Sequence, residues 1–551
     1  MNLTNQKQNF ISRKKILNYF IFVLFIFYFF IGLNIYTDFG ISIDEPFHRT
    51  SGYYWYLWIL DNFFNNLTKL EYLKNSFNEM EWSQDFLGGT FLEYGVIFDL
   101  LAVFIENKLN LKNHQDIYYL KHFLNFFTFY ISSIIFFYVI KSRFKNNFLA
   151  LIASLFYISA PRIFAESFYN CKDIIFMSLT VFAIFFALKV LKKTNIKNII
   201  LFSFFCALAT SVRPLGIFIL FLLFAFLIFE SLEEGNIYKK FNFILISLFF
   251  YILFTYLLWP YLWLDPLNNF IFSLKSFSHY GWGGSTLYFG DYVKSQSLPW
   301  HYTFVWIAIT TPLIYSLLFI VGSYKVFSNF FTNLEKLWKN LNEKLDLFIL
   351  SFFFAPIFLV IILNSTLYDG WRHLYFIYPS LIYISIFGLN YILNLNSKKF
   401  FKNSFFIIVF ISIFINIFNI IKFHPFQNVY FNFLVEKKVN SLFNVDYWGL
   451  GNAHSILKIL DDANNSENIN IRTASFTPLN YSKYIINNEK MKNINFTGTA
   501  GINSEYIFTN HIYEGNPKYK KKYFIPNNYK KIYSLKRGNI VINEIYKKNN
   551  Q

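Results

Sequence analysis

The feature that most constrains this chain is a series of long apolar runs separated by short polar segments. A run of about 18 or more apolar residues is long enough to cross the hydrocarbon core of a bilayer as a helix. Only 15% of the residues are charged, whereas soluble proteins carry about 25%. The sequence therefore predicts a polytopic α-helical membrane protein with about eleven transmembrane helices. The predicted spans are residues 17–36, 118–140, 147–164, 174–191, 197–212, 215–231, 242–264, 301–326, 346–364, 373–393 and 404–423.

Basic residues in the short loops predict how these spans are oriented. Arg13, Lys14 and Lys15 precede the first run and place the N-terminus in the cytoplasm, because cytoplasmic loops carry an excess of Lys and Arg. We therefore interpret much of the net charge of +18 as a topology signal and not as a nucleic-acid-binding surface. With eleven spans, the other basic short loops also fall on the cytoplasmic side. These loops contain Lys141 to Lys145, Lys192 to Lys197, Lys239 and Lys240, Lys325 to Lys344, and Lys398 to Lys402.

The same count of spans predicts the domain organisation. Residues 1–423 would form the membrane domain, with a long first outer loop at 37–117. Within that loop, residues 89–107 contain three acids and are predicted to form an amphipathic helix at the outer interface and not a further span. An odd number of spans leaves residues 424–551 outside the cytoplasm. Alternating runs ("NINIRTASF", "KNINFTG", "GNIVINEIY") and the helical pattern "NAHSILKILDDA" predict a small extracytoplasmic α/β domain there.

Polar residues that the topology does not require fall in five segments, all on the predicted outer side. The first segment, "GISIDEPFHRTSGYY", follows directly on the first apolar run. The spans themselves are almost free of charge, whereas transporters place substrate and coupling residues near the middle of the membrane. This one-sided distribution favours chemistry at the membrane interface. The residues are Asp44, Glu45, His48, Arg49, Arg162, Glu166, Lys172, Asp173, Arg213, Asp265, His279, Asp291, His301, Asp369, Arg372 and His373.

The first segment predicts a helix from about residue 46 to 60. Pro46 suits an early helical position, with Asp44 or Glu45 at the N-cap, and the positive end of the helix dipole would favour their ionised forms. Asp44 and His48, and likewise Glu45 and Arg49, are four residues apart and can share helix faces. An ionised carboxylate there could accept a proton from an attacking hydroxyl or could hold a divalent cation. The alternative is that both acids only cap an interfacial helix.

The later segments supply basic residues. Arg162, Lys172, Arg213, Arg372 and His373 together could neutralise a phosphate group at the interface, with Arg forming paired hydrogen bonds and Lys acting as a point charge. The alternative is that they reach towards lipid headgroups, as basic residues at helix ends commonly do.

Four motifs in this order resemble the GT-C superfamily of polyprenyl-phosphate-dependent glycosyltransferases. They are "DEPFH", "PRIFAESFYNCKDI", "SVRPLG" and "GWRHLYFIYP", and the resemblance covers roughly residues 15–425. The pattern is most similar to the protein O-mannosyltransferase-like and lipid A aminoarabinose transferase-like branch. Two further motifs, "HPFQNVYFN" and "DYWGLGN", look like related bacterial proteins but carry no assigned role.

The resemblance implies a role for several of these residues. Asp44 falls on the position of the catalytic base, with Glu45 as its partner, and Asp173 on that of a second acid beside the acceptor. The basic residues Arg162, Lys172, Arg213, Arg372 and His373 would bind the lipid-linked phosphate. We add His48, Arg49 and Asp369, which lie in the same segments, to the predicted substrate-binding residues.

The resemblance also implies a function. A polyprenyl-phosphate-linked sugar would be the donor, and a glycan, lipid or protein hydroxyl at the outer face of a bacterial inner membrane would be the acceptor. Membrane lipid is the other expected partner, nucleic acid is not one, and a divalent cation could take part. The reaction would invert the anomeric centre, with Asp44 removing the acceptor proton. Two alternatives remain: a lipid or solute transporter or flippase of the cell envelope, and a noncatalytic envelope-assembly protein.

Overall fold

The computed structural model describes residues 2–64, 70–235, 238–278, 280–396, 398–463, 468–486, 488–501 and 503–549. The helices in this part of the chain are α1 (Asn2–Ile35), α2 (Glu45–Phe63), α3 (Leu70–Asn78), α4 (Ser83–Leu87), α5 (Ile97–Lys108), α6 (His114–Phe144), α7 (Asn147–Ser159), α8 (Pro161–Tyr169), α9 (Asp173–Lys192), α10 (Ile196–Thr210), α11 (Ile217–Glu233), α12 (Tyr238–Leu258), α13 (Tyr261–Leu264), α14 (Pro266–Ser278), α15 (Tyr302–Thr310), α16 (Leu313–Phe331), α17 (Leu341–Ile362), α18 (Tyr378–Asn394), α19 (Lys399–Phe423), α20 (Val439–Leu442), α21 (Asn452–Asp462) and α22 (Asn488–Met491).

Strands and short 3-10 turns complete the secondary structure. The strands are β1 (Ser285–Tyr288), β2 (Asp291–Lys294), β3 (Ile469–Thr473), β4 (Ile494–Phe496), β5 (Tyr506–Thr509), β6 (Tyr529–Arg537) and β7 (Ile540–Lys548). The 3-10 turns are Pro214–Gly216, Arg372–Ile377, Gln427–Val429, Leu479–Tyr484 and Pro517–Tyr519.

The apolar helices confirm a multi-pass membrane protein. Within the described residues, nine helices are long and apolar enough to cross a membrane, or ten if the pair α7 and α8 is one span. These two helices meet at 66°, because Pro161 has no N–H to continue the hydrogen bonds of α7. The remaining predicted span is α10, an apolar helix of 15 residues. Predicted span 301–326 is divided into α15 and α16 at Pro312.

Burial separates central from peripheral helices. In the most apolar part of α18, 83% of the residues are buried, and the value for α9 is 72%, whereas α12 and α19 reach only 17%. We therefore place α9 and α18 at the centre of the bundle and α12 and α19 against lipid. Gly322 on α16 and Gly388 on α18 permit the closest approach of two helices: a Cβ on either glycine would lie 2.2 Å from a carbonyl oxygen of the other helix.

The long segment between α1 and α6 contains an amphipathic helix, as predicted, but its charged face points inward. On α5, Leu101 and Phe104 are exposed, while Asp99 and Glu106 are buried. The buried acids meet basic side chains of α2 and α6. Gly52 lets α2 approach α5 closely, since a Cβ there would lie 2.6 Å from the backbone of Asp99. Ion pairs thus attach the helices of the first loop to the helical bundle.

The C-terminal part contains the predicted small α/β unit. Its sheet has the strand order β4-β3-β5-β7-β6, in which β4, β3 and β5 are parallel and β7 runs antiparallel to both neighbours. The three predicted strands correspond to β3, β4 and β7, and the predicted helix is α21. The segment between α19 and α21 packs differently: Phe426, Phe431, Phe443 and Trp448 lie in the same buried apolar cluster as the helical bundle.

Candidate active site

In the described structure, two carboxylates from distant segments and one from its own segment lie around the guanidinium of Arg372. Arg372 begins the 3-10 turn that precedes α18. Its Nη1 donates to Oδ2 of Asp44 at 2.8 Å and to Oδ2 of Asp173 at 3.4 Å, and its Nη2 lies 3.6 Å from Oδ2 of Asp369. Hydrogen bonds between ionised partners are stronger than neutral ones. Arg372 therefore joins the first loop, the start of α9 and the segment before α18 at one point.

A second guanidinium completes this charge cluster. Arg213 donates from Nη2 to Oδ1 of Asp173. Its backbone is extended (φ −136°, ψ 127°), which is the conformation favoured before a proline, and Pro214 opens the next 3-10 turn. Asp173 itself is held by Asn170, which donates from Nδ2 to its carboxylate at 3.2 Å and accepts from its backbone N–H at 2.9 Å. Asp173 thus contacts both arginines, while Asn170 fixes its own position.

The three carboxylates differ in accessibility. The side chain of Asp173 is 1% exposed, that of Asp369 is 23% exposed, and that of Asp44 is 35% exposed. Asp44 occupies the N-cap of α2, but its side chain makes no capping hydrogen bond to any described residue. The geometry therefore disfavours the alternative in which Asp44 only caps a helix, and it leaves Asp44 as the most accessible acid of the cluster.

Asp369 has an unusual backbone and an unusual protonation equilibrium. Its φ of +57° lies in the left-handed region, and Gly370 follows at +78°. Burial raises the pKa of the Asp369 carboxyl to about 7. The negative charge of Asp44 acts in the same direction, while Arg372 opposes the shift. The carboxyl of Asp369 therefore keeps its proton to a higher pH than an ordinary aspartate does.

Several buried side-chain nitrogens around the cluster have no hydrogen-bond partner within the described part of the chain. They are Nζ of Lys172, Nε of Arg213, Nε of Arg372 and Nδ1 of His373. Lys172 precedes α9 and lies over the ring of Tyr94, with Nζ 4.2 Å from the ring centroid. Burial, reinforced by the charge of Arg213, lowers the pKa of the Lys172 ammonium to about 7. The unsatisfied donors of the lysine and the two arginines suit a multiply charged anion such as a phosphate.

Glu45, His48 and Arg49 point away from this cluster. Glu45 is fully buried, with Oε1 2.9 Å from Nε2 of His122 and Oε2 accepting from the backbone N–H of Ser42 at 2.7 Å. The structure therefore places Glu45 as an anchor of the first loop and not beside Asp44 as a second catalytic acid.

The next polar residues of α2 find their partners on another helix. His48 faces Asp99 at 3.5 Å, and Arg49 donates to both carboxylate oxygens of Glu106, at 2.6 and 3.1 Å. In the described residues these ion-pair partners both lie on α5, so sharing a helix face with Asp44 and Glu45 leads to no ion pair with them. His48 and Arg49 thus attach α2 to the bundle and do not line the charge cluster.

Arg162 lies away from the cluster as well. It donates to the hydroxyl of Tyr447 at 3.3 Å and to the carbonyl of Tyr430 at 3.2 Å, and its guanidinium lies 4.9 Å from the ring of Phe431. Its described contacts connect α8 to the segment that follows α19. His301 bonds to Tyr288 at 2.7 Å, and His279 lies outside the described residues.

Comparisons with known proteins bear on the family and the fold. Residues 122–259 match the family model described as Dolichyl-phosphate-mannose-protein mannosyltransferase, which is less than half of the chain. A search of curated protein sequences gave no significant match. Among solved structures, the apo oligosaccharyltransferase of Archaeoglobus fulgidus is 11% identical with a TM-score of 0.50, over 92% of this chain and 71% of that one. The chain has the GT-C fold.

Two further structures cover nearly the whole chain. ArnT from Cupriavidus metallidurans in the apo state is 10% identical with a TM-score of 0.48, and the alignment covers 95% of this chain and 97% of that one. The same enzyme bound to undecaprenyl phosphate is 9% identical with a TM-score of 0.43 at the same coverage. The resemblance predicted from the sequence is confirmed, and the family match together with the GT-C fold points to a glycosyltransferase.

A divalent cation, which the sequence left open, would compete with Arg372 for the three acids of the described cluster. Asp44, Asp173 and Asp369 already surround Arg372, whose guanidinium takes the central position that a cation would need. In the described residues, one group has metal-ligand spacing: His48, Asp99 and Cys171 offer ligand atoms within 4.8 Å of one another. Lys121 lies there too, with its ammonium 2.9 Å from Asp99, and would compete with a bound cation. We therefore assign no metal.

The structure also adds residues that the sequence did not single out. Arg372 contacts two aromatic rings, those of Tyr368 and Trp448, at 4.9 and 4.7 Å from their centroids. Tyr375 donates to Glu166 at 2.8 Å, and Asn170 donates to both Glu166 and Asp173. Tyr368 and Tyr375 belong to the quoted motif "GWRHLYFIYP" or its flank. Trp448 is in "DYWGLGN", a motif for which spacing alone gave no function.

Proposed function

We propose that this protein transfers a sugar from a polyprenyl-phosphate donor to the hydroxyl of an acceptor, with inversion at the anomeric carbon. The observation that carries the proposal is the Asp44–Arg372 hydrogen bond at 2.8 Å, within a cluster of cationic groups that have donors to spare. An accessible carboxylate beside an anion-binding site is what an inverting transfer from a phosphate ester requires.

Asp44 acts as the general base. Arg372 compensates its charge, and 35% of its side chain is exposed, so an acceptor hydroxyl can reach it. The acceptor oxygen attacks the anomeric carbon, a new C–O bond forms, and the hydroxyl proton passes to Asp44. The bond between the anomeric carbon and the phosphate oxygen breaks in the same step, and its electron pair leaves with the phosphate. The carbohydrate centre is inverted because attack and departure occur on opposite faces.

The leaving phosphate is stabilised by the basic residues of the cluster. In the described structure, Arg213 and Arg372 each have an Nε–H without an acceptor. The ammonium of Lys172 and the ring Nδ1 of His373 have no hydrogen-bond partner there either. These groups are preorganised by Asp173 and by packing, so little reorganisation is needed when negative charge develops. Because the phosphate leaves as an anion, the reaction needs no general acid. Arg162, His48 and Arg49 support this site indirectly, through the contacts described above.

The membrane arrangement follows the charge of the short loops. We propose that the N-terminus lies in the cytoplasm and the Asp44–Arg372 cluster at the outer face of a bacterial inner membrane. Residues 1–423 then form the membrane domain, with the outer loop 37–117, and residues 424–551 form the extracytoplasmic domain. The acceptor can be a glycan, a lipid or a protein that reaches this face.

The test is transfer from a labelled donor. Purified protein in proteoliposomes is incubated with polyprenyl-phosphate sugars that carry a radiolabelled sugar, together with envelope extract as the source of acceptor. We expect the label to leave the lipid in the wild-type protein and in R537Q, whose arginine lies on β6, and to remain on the lipid in R213Q. Labelled lipid that changes leaflet with its sugar still attached would instead identify a flippase and contradict the proposal.

A further inference from the structure

One residue of the C-terminal segment contacts both Arg372 and the residue that precedes Asp44. The ring of Trp448 lies against the guanidinium of Arg372, 4.7 Å from its centre. The backbone carbonyl of Trp448 accepts a hydrogen bond from the N–H of Ile43 at 3.0 Å, and Ile43 directly precedes Asp44. Trp448 therefore contacts the arginine through its side chain and the backbone next to Asp44 through its carbonyl.

The first loop and this segment fit together closely over several residues. Gly40 faces the carbonyl oxygen of Leu450, and a Cβ on Gly40 would lie 2.4 Å from that oxygen. Such a distance is too short for any side chain, so the two backbones can approach only because residue 40 is a glycine. The contact fixes the start of the segment that carries Asp44.

The loop that carries Trp448 is itself held in place. The buried carboxylate of Asp446 accepts hydrogen bonds from Nδ2 of Asn428 and the backbone N–H of Gly451, both at 3.0 Å, and from the N–H of Leu450 at 3.3 Å. Gly449 adopts a φ of +74°, which a glycine tolerates without strain. Trp448 is buried and packs edge-on against Tyr169 at 5.8 Å. The indole is thus fixed relative to the bundle.

Two aromatic rings consequently lie against the guanidinium of Arg372. Tyr368 supplies one ring from the same segment as Arg372, and Trp448 supplies the other from the C-terminal part of the chain. Arginine stacks well on aromatic faces, and a guanidinium packed against rings moves less freely than one in solvent. These contacts hold the guanidinium where it bonds to Asp44 and Asp173.

We propose that Trp448 is a positioning residue of the transfer reaction: it keeps Arg372 aligned with Asp44 and with the leaving phosphate. This inference rests on the proposed function and adds a role for the motif "DYWGLGN". It also gives the C-terminal segment a direct part in the active site. Trp448 is not required to contact the substrate. Its replacement should therefore lower kcat more than it weakens binding of the donor.

The test compares W448L, W448F and a control, W338L, in steady-state transfer from a polyprenyl-phosphate sugar. Trp338 is also buried, but it stacks on Phe226, away from the cluster. We expect kcat of W448L to fall by about 10- to 100-fold, since misplacing a catalytic group by about 1 Å can cost 10²-fold. Its KM for the donor should change less than about threefold, by the same reasoning. W448F, which keeps a flat ring, should recover most of the lost kcat, and W338L should match the wild type.

A second variant keeps the inference testable if W448L is not recovered from membranes. G40A introduces a Cβ against Leu450 and should displace the Trp448 segment from Ile43, with a loss of kcat similar to that of W448L. Wild-type kcat in W448L or G40A would overturn the inference, and so would a W448F variant as slow as W448L at wild-type thermal stability. Absence of transfer by the wild-type protein would overturn the proposed function and this inference together.

Discussion

The guanidinium of Arg372 donates a 2.8 Å hydrogen bond to the carboxylate of Asp44, although 328 residues separate the two in the sequence. The bond connects the first loop to the segment before α18, and Asp173 and Arg213 extend it to α9 and to the start of α11. Two aspartates and two arginines therefore meet in one cluster of the GT-C bundle. All four belong to the polar residues that the predicted membrane topology does not require.

Replacing Arg372 by lysine should slow transfer strongly while the charge is kept. Lysine lacks the planar fork that reaches Asp44, Asp173 and Asp369 together. We expect kcat to fall on the order of 10²-fold, the loss seen when one preorganised stabilising donor is removed. The measurement is initial rate of label transfer, with R537K as the control that should keep the wild-type rate. A fully active R372K would show that only a positive charge is needed.

Donor affinity should depend on the protonation of Lys172. Because its pKa is lowered to about 7, Lys172 is charged below neutral pH and loses its charge as the pH rises above 7. KM for the polyprenyl-phosphate donor should therefore increase between pH 7 and 9 in the wild-type protein. In K172R the charge persists, and this increase should disappear. Parallel profiles of KM against pH in the two proteins would contradict a role for Lys172 in phosphate binding.

Asp369 should make the stability of the fold depend on pH. Its pKa is raised to about 7, whereas an aspartate in an unfolded chain titrates near pH 3.9. Between these values the folded state binds more protons than the unfolded state, so stability falls as the pH rises towards 7 and above. D369N removes this titration and should gain in Tm over the wild type at pH 8 relative to pH 5.5. D61N, which changes an exposed acid, should show no such trend.

The buried pair of Arg49 and Glu106 should matter for stability more than for chemistry. E106Q leaves the Arg49 guanidinium buried without its charged partner, and breaking a buried pair in this way costs about 3–5 kcal/mol. The double variant R49M/E106Q should recover much of that loss. Thermal unfolding in detergent measures both effects, and the exposed pair of Lys74 and Asp61 is the matched control, worth about 0–1 kcal/mol. Equal losses at the two pairs would contradict the assignment.

The sequence predicted much of the architecture and part of the site. Length and hydropathy locate membrane helices because lipid permits few alternatives to a helix. The one-sided distribution of charge put Asp44, Asp173, Arg213 and Arg372 among the polar residues of one predicted face, and the structure brings these four into one cluster.

Spacing failed where the partner is distant in the sequence. For Glu45, His48 and Arg49 it indicated shared faces on one helix, whereas their ion-pair partners lie on α5 and α6. A residue four positions away is always a candidate, but a partner 57 residues away, as for Arg49, has no local signal. Trp448 also has no local signal in the sequence. Its pattern cannot be distinguished from that of an ordinary core aromatic residue, and only the fold shows its contact with Arg372.

The central claim is that Asp44 is the base of a sugar transfer, and D44N tests it most directly. Asparagine keeps the size of the side chain but cannot accept the proton, so we expect transfer to fall by about 10²- to 10⁴-fold. D38N is the control, because Asp38 lies in the same loop and pairs with His424, outside the cluster. Loss of transfer in D44N but not in D38N, at equal protein levels in the membrane, is the predicted result. Unchanged transfer by D44N would contradict the account.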